Sequence, residues 1–195
     1  FRNPYFVLFL LSSALAQASH AQIYTFGTIY WESIGIGGTA IGFLWAFSVA
    51  AEVVMFAAFR KLFGKVSSPL VLAIGAILAM GRWGLFPLVD PLGLGLAGFF
   101  LVQGMHAFSF SAVFLATQRM LAETVPEARI GAAQGAAYFA NNTLLALLTL
   151  AAGPLYRAFG PDSFASMAGV SAVGFILAVA CIKLAPERRL GRQDG

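Results

Sequence analysis

Charge is what this sequence has least of. Of its 195 residues, 12 are Lys or Arg and 8 are Asp or Glu, a 10% share far below the roughly 25% of an ordinary soluble domain. The shortage excludes a solvated surface of normal size, and the small basic excess does not point to nucleic acid. Cysteine is nearly absent as well. A lone Cys181 forms no disulfide framework and no thiolate cluster, and is expected to be packed or lipid-facing and inert. There are two histidines, His20 and His106, and neither has a second ligand at helical spacing, so no metal is expected. No HExxH, no clustered acidic motif and no nucleophile beside a base occurs, which argues against an enzyme and against a bound cofactor.

What is present in quantity is hydrocarbon. The chain is 59% hydrophobic with a mean hydropathy of +0.83. This is the composition of an integral membrane protein. A membrane-spanning helix needs about 20 predominantly apolar residues, and six stretches meet that requirement: 5–31, 39–59, 68–88, 92–117, 132–152 and 164–184. All eight prolines fall at or near these boundaries and none in mid-span, as a residue without a backbone donor should. The chain begins at Phe1 without Met, in a segment too long and too polar for a signal peptide, and is expected to be a fragment of something longer. Residues 185–195 are expected to form a basic cytoplasmic tail.

Ten of the twelve basic residues fall on one side of this topology if the N-terminus is cytoplasmic: Arg2, Arg60, Lys61, Lys65, Arg119, Arg129, Lys183, Arg188, Arg189 and Arg192. Only Arg157 is left outside, and Arg82 lies within a span. The positive-inside bias therefore places both ends in the cytoplasm. The Lys183–Arg192 run can also touch anionic lipid headgroups.

Polar residues inside such spans are costly and mark function. In the first span Ser13, Gln17, His20, Tyr24, Gly27 and Trp31 recur at steps of four and three, so they share one face of a helix. That stripe must meet other helices or a water-filled path. Trp45, Ser48 and Glu52 share a face of the second span, and Glu52 is the one carboxylate inside a span. Arg82, beside Trp83, lies toward the outer end of the third span, where it can bind a substrate or snorkel to the interface as an anchor. In the fourth, Gln103 and His106 stand at i, i+3 with Phe110 one turn on; imidazole titrates near physiological pH and can bind substrate or relay a proton. The fifth carries Gln134, Tyr138 and Asn141 on one face, and a Gly131/Gly135 pair that permits close helix approach. The sixth reads as a peripheral, lipid-facing helix. The short basic turn RKLFGKVSS, residues 60–68, reads as a topological anchor.

Six spans in 195 residues, with the stretch ASHAQIYTFGTIYWESIGIGGTAIGFLWAFSVAAEVVMF and the later VPEARIGAAQG, resemble the C-terminal half of a major facilitator superfamily transporter. Within it the match is to the 3-phenylpropionic acid permease group, relatives of the lactose and nucleoside proton symporters. The resemblance implies an all-α, twelve-helix fold of which this chain is one six-helix bundle, with an N-terminal six-helix half as partner and a bacterial inner membrane as its place. It implies alternating access around a midplane site, and secondary transport of a small amphipathic solute such as an aromatic acid, coupled to protons. Sugar or nucleoside permease activity, a non-transporting scaffold and a membrane-embedded enzyme are the alternatives. Gln17, His20, Tyr24, Trp31, Arg82, Gln103, His106 and Asn141 are the expected substrate-binding residues, and Glu52 with His106 the proton-coupling pair. Lactose-permease-like members use a carboxylate, an arginine and a histidine on three successive helices, the ones occupied here by Glu52, Arg82 and His106. Their proton-binding carboxylate, one turn after that histidine, is replaced here by Ser109.

Overall fold

The computed structural model describes residues 3–184; the expected tail, with Arg188, Arg189 and Arg192, and Arg2 at the other end lie outside the described residues. Among the described residues the chain is all helix, without a strand. Five continuous helical stretches are long and apolar enough to cross a membrane: Pro4–Ser33, Gly38–Phe63, Ser68–Leu88, Gly95–Thr124 and Glu127–Leu184. The fifth is 58 residues long and divides at Gly160, whose φ of 56° lies where residues with a Cβ are strained. It therefore holds two helices.

Helix α1 spans Pro4–Ala18 and α2 Ala21–Ser33. Asn3 starts α1 by accepting the Tyr5 backbone N–H at 2.9 Å, with Pro4 in the first turn, where the missing donor costs nothing. The expected unbroken first span is interrupted between α1 and α2. Ser19 donates its hydroxyl back to Ala16 O at 2.7 Å, a bond that competes with the helix ladder and bends it. The indole of Trp83 holds the bend by donating to the same hydroxyl at 2.9 Å.

Helix α3 is Gly38–Phe63, α4 Ser68–Leu85, α5 Gly95–Gly104, α6 Val113–Thr124, α7 Ile130–Phe159 and α8 Ser166–Leu184. Between α5 and α6 residues 107–112 form a π-helical turn. Gly75 of α4 makes room for that turn: a Cβ there would lie 3.0 Å from Phe108 O and would collide with the Val113 side chain. The fourth span begins three residues later than the hydropathy suggests, after a turn in which Gly93 and Gly95 have φ of 65° and 55°. It also runs seven residues past Thr117, because Met120 and Leu121 are buried against the rest of the bundle. Pro154 sits inside α7, not beyond its end. Gly131 and Gly135 have no neighbour within 4 Å of where a Cβ would stand, so the pair mediates no close approach among the described residues.

Packing is uneven. Helix α8 packs chiefly against α4 and α1, and α1 also against α7. One face of α8, with Ser171, Gly174, Ala178 and Cys181, is thus buried, while Val173 and Ile176 of the same helix point outward. Ser12 donates to Gly174 O across this contact at 2.6 Å. Two apolar clusters fill the bundle along α1, α2 and α4. One holds Phe6, Phe9, Leu72 and Met120; the other is rich in aromatics, with Tyr30, Trp31, Trp83, Phe86, Phe99 and Phe164. Polar side chains gather between them.

Candidate functional site

Glu52, Arg82, His20 and His106 each stand within about one helical turn of the middle of their apolar helical stretches, which brings the four to a common depth. Arg82 is the centre of the group. Only 1% of it is exposed, so the interfacial anchor allowed by its sequence position is corrected: the guanidinium points into the bundle. Nε donates to Val102 O at 2.8 Å, Nη2 to Gln103 Oε1 at 2.9 Å, and Nη1 to both Ser109 Oγ at 3.2 Å and His106 Nδ1 at 3.1 Å. Gln103 is itself held by donating to Leu44 O at 3.2 Å, and the Arg82 guanidinium lies 4.4 Å from the centre of the Trp83 ring. The snorkelling reading failed because the neighbouring Trp83, taken for an interfacial partner, is fully buried beneath the α1–α2 bend.

The inventory of donors fixes where the protons lie. Arginine only donates, so His106 Nδ1 accepts from it, and His106 Nε2 carries the hydrogen that it gives to Glu52 Oε1 at 2.8 Å. A backbone carbonyl only accepts, so His20 Nδ1 donates to Gln17 O at 3.0 Å, and His20 Nε2 accepts from Ser109 Oγ at 3.3 Å. Both imidazoles are neutral in this arrangement, in opposite tautomers. Ser109 is the joint: its oxygen accepts from Arg82, and its one hydrogen has two acceptors in reach, His20 Nε2 at 3.3 Å and His106 O at 3.5 Å. A single chain of hydrogen bonds thus runs Glu52, His106, Arg82, Ser109, His20, and on to the Gln17 carbonyl.

The helix interruptions put these groups in place. The α1–α2 bend turns His20 inward, where its ring meets Trp83, His106 and Phe110 edge-on at 5.1, 5.0 and 5.5 Å between centroids. The π-helical turn starts just after His106, and Phe110, one turn on, stacks on His106 at 4.9 Å. Such turns are frequent at functional sites because the extra residue re-aims side chains. Charge is sparse here. Among the described residues Glu52 meets a neutral His106 and the remaining charged contact is Arg119–Glu123, so Arg82 has no carboxylate in direct contact and reaches Glu52 only through His106.

The remaining expected residues are distributed differently. Gln17 donates Nε2 to Phe110 O at 3.4 Å while its Oε1 is buried without a partner; on the same face Ser13 bonds Thr117 at 2.6 Å. Trp31 is fully buried in the aromatic cluster, also with its Nε1 unpartnered. Tyr24 is 46% exposed and stacks on His20 at 5.7 Å. Asn141 stands apart on α7, its Oδ1 buried and unpartnered, outside the hydrogen-bonded group around Arg82. Sequence reasoning missed the part played by Ser109. Its position three residues after His106 was visible, but its two bonds depend on helices far away in sequence. No group of three or more His, Cys, Asp or Glu side chains able to hold a metal occurs among the described residues.

A second cluster lies where α3 turns into α4. Arg119, which lies just beyond the fourth span read from hydropathy, is on α6, and its Nη1 and Nη2 donate to Phe63 O at 2.9 Å and Val66 O at 2.6 Å while Nε donates to Ser68 Oγ at 2.9 Å. It thereby binds the ends of α3 and α4 together.

No solved structure matches the chain. It is 34% identical over 163 residues to an Escherichia coli (strain K12) protein named "Probable 3-phenylpropionic acid transporter", an alignment that takes in 84% of this chain and 42% of the relative. The chain thus spans less than half the length of the curated relative it matches. The sequence pattern of the MFS_1 like family matches residues 1–164. A bundle of apolar helices with a buried Arg–His–Glu chain at mid-depth, matched over most of its length, belongs to the MFS_1 like family of the major facilitator superfamily.

Proposed function

We propose that this chain is the C-terminal half of a proton-coupled symporter for small aromatic carboxylates, working by alternating access against an N-terminal six-helix half around a midplane site. The observation that carries the reading is the chain from Glu52 through His106 to Arg82. With Glu52 ionised, the group sums to zero charge, which a poorly hydrated interior tolerates. A proton added at Glu52 leaves Arg82 uncompensated, and an unpaired buried charge costs several kcal/mol. An anionic substrate restores neutrality. Proton and monocarboxylate therefore bind together more favourably than either alone, which is the thermodynamic content of symport.

Arg82 offers an incoming carboxylate the N–H on Nη2 that has no acceptor among the described residues, beside the exchangeable bond to Gln103. The aromatic rings of His20, Tyr24 and Phe110 around it suit a substrate with a flat apolar part. The name of the Escherichia coli relative points to the same class. The distribution of basic residues favours both ends of the chain being cytoplasmic, and the Escherichia coli relative favours a bacterial inner membrane. The test is uptake of labelled 3-phenylpropionate by proteoliposomes holding the full-length parent, with and without an inward proton gradient. Gradient-stimulated accumulation is expected. Uptake indifferent to the gradient removes proton coupling, and no uptake by folded protein removes the aromatic-acid substrate.

A further inference from the structure

Trp45 differs from the other two tryptophans of the chain. Trp31 and Trp83 are fully buried, whereas Trp45, on α3, is half-buried and held rigidly. Its indole N–H donates to Thr28 Oγ1 on α2 at 3.1 Å. Trp31 meets the ring edge-on at 5.5 Å and 70°, and Tyr24 tilts against it at 6.3 Å. The indole edge also lies over Gly27, where a Cβ would meet Trp45 Cζ2 at an ordinary contact distance of 3.6 Å. A tryptophan serving as an interfacial anchor keeps its N–H for water and headgroups. Trp45 has its N–H taken up by the exposed Thr28 hydroxyl of the neighbouring helix, so what it presents is an apolar ring.

Two features tie that ring to the Arg82 group. Trp45, Ser48 and Glu52 share one face of α3, and the seven-residue step from Trp45 to Glu52 is a rise of about 10 Å. A ladder of ring contacts also joins them: Trp45 to Tyr24, Tyr24 to His20 at 5.7 Å, and His20 to His106 at 5.0 Å. We propose that Trp45, with the exposed Tyr24 ring beside it, is the subsite that recognises the aryl ring of the substrate while its carboxylate is held at the depth of Arg82. The flat ring is selected by offset or edge-on packing, which a saturated ring of the same length cannot reproduce. This rests on the aromatic-acid reading above and names the residues that set its selectivity.

The experiment compares 3-phenylpropionate with 3-cyclohexylpropionate, which has the same spacer and carboxylate, in proteoliposomes of the full-length parent. Wild type is expected to prefer the aryl acid. Trp45→Leu narrows that preference by about three- to tenfold through KM for the aryl acid, with the cyclohexyl acid little affected, while Trp45→Phe keeps most of it. An unchanged preference in Trp45→Leu overturns the proposal. Binding supplies an independent readout that survives a transport-dead variant: 3-phenylpropionate changes the tryptophan emission of the purified wild type, a change expected to be lost in Trp45→Phe and kept in Trp31→Phe. A full change remaining in Trp45→Phe also overturns it. Wild type that accumulates and binds neither acid defeats the aromatic-acid reading itself, an outcome distinct from both.

Discussion

Two arginines organise this bundle, and the difference between their surroundings explains what each can do. Arg82 and Arg119 both donate to backbone carbonyls and to a serine hydroxyl. Arg119 stands at the end of the bundle with a 21% exposed side chain, and its carboxylate partner Glu123 is 58% exposed and 3.8 Å away. Water shares that charge, so the cluster is a clasp. Arg82 is sealed in, and its counter-charge sits one side chain away behind a neutral histidine. There a proton or an anion changes the electrostatic sum of a site that water reaches only at Glu52, whose side chain is 20% exposed. Identical chemistry thus serves structure at the edge and, in the function proposed above, coupling in the middle.

The sharpest way to break this contrast is to remove the central charge. Arg82→Met leaves Gln103, His106 and Ser109 without their donor, and is expected to abolish uptake and lower stability by about 3–5 kcal/mol, read as a fall in Tm of the full-length protein in detergent. Glu52→Gln keeps a group that can accept from His106 but removes the counter-charge. It is expected to lose gradient-driven accumulation by at least tenfold while retaining substrate exchange at equal concentrations on both sides; accumulation at the wild-type level would sink the role assigned to Glu52. Ser109→Ala disconnects His20 from Arg82 and leaves both unsatisfied, a cost of about 1–3 kcal/mol, and Ser109→Thr should restore much of the loss in uptake. At the clasp the effects shrink. Arg119→Ala is expected to lower Tm moderately and leave the dependence on the proton gradient intact, and Glu123→Gln to change Tm hardly at all, as exposed ion pairs contribute little.

Some of this was legible in the chain. Polar residues are so rare among these apolar runs that their presence announced a site, and a 3.6-residue period placed Gln17 and His20 on one face, where they do face inward together. Gln103 and His106 were visible as a pair for the same reason. Arg82 stayed open between the two roles because a single arginine next to a tryptophan looks the same in sequence whether it reaches outward to headgroups or inward to carbonyls. The helical setting of Arg119 was not visible because hydropathy marks contact with hydrocarbon, and α6 continues as helix beyond the apolar run, held by Met120 and Leu121. Tyr24 and Asn141 share faces with other polar residues yet stay outside the hydrogen-bonded group, since a shared face does not say what packs against it.

By itself, the sequence determined that the chain is a set of apolar helices in a membrane and which few side chains cannot face lipid, because the cost of transferring polar groups into hydrocarbon acts on each residue locally. The tertiary structure decided which of those side chains meet. The bend held by Ser19 and Trp83, the π-helical turn before α6 and the close approach permitted by Gly75 set the rotation and depth of each helix. Those few ångströms separate a salt-bridged Glu52–Arg82 pair from a pair joined through His106, and hydrogen bonding is short-ranged enough to tell them apart.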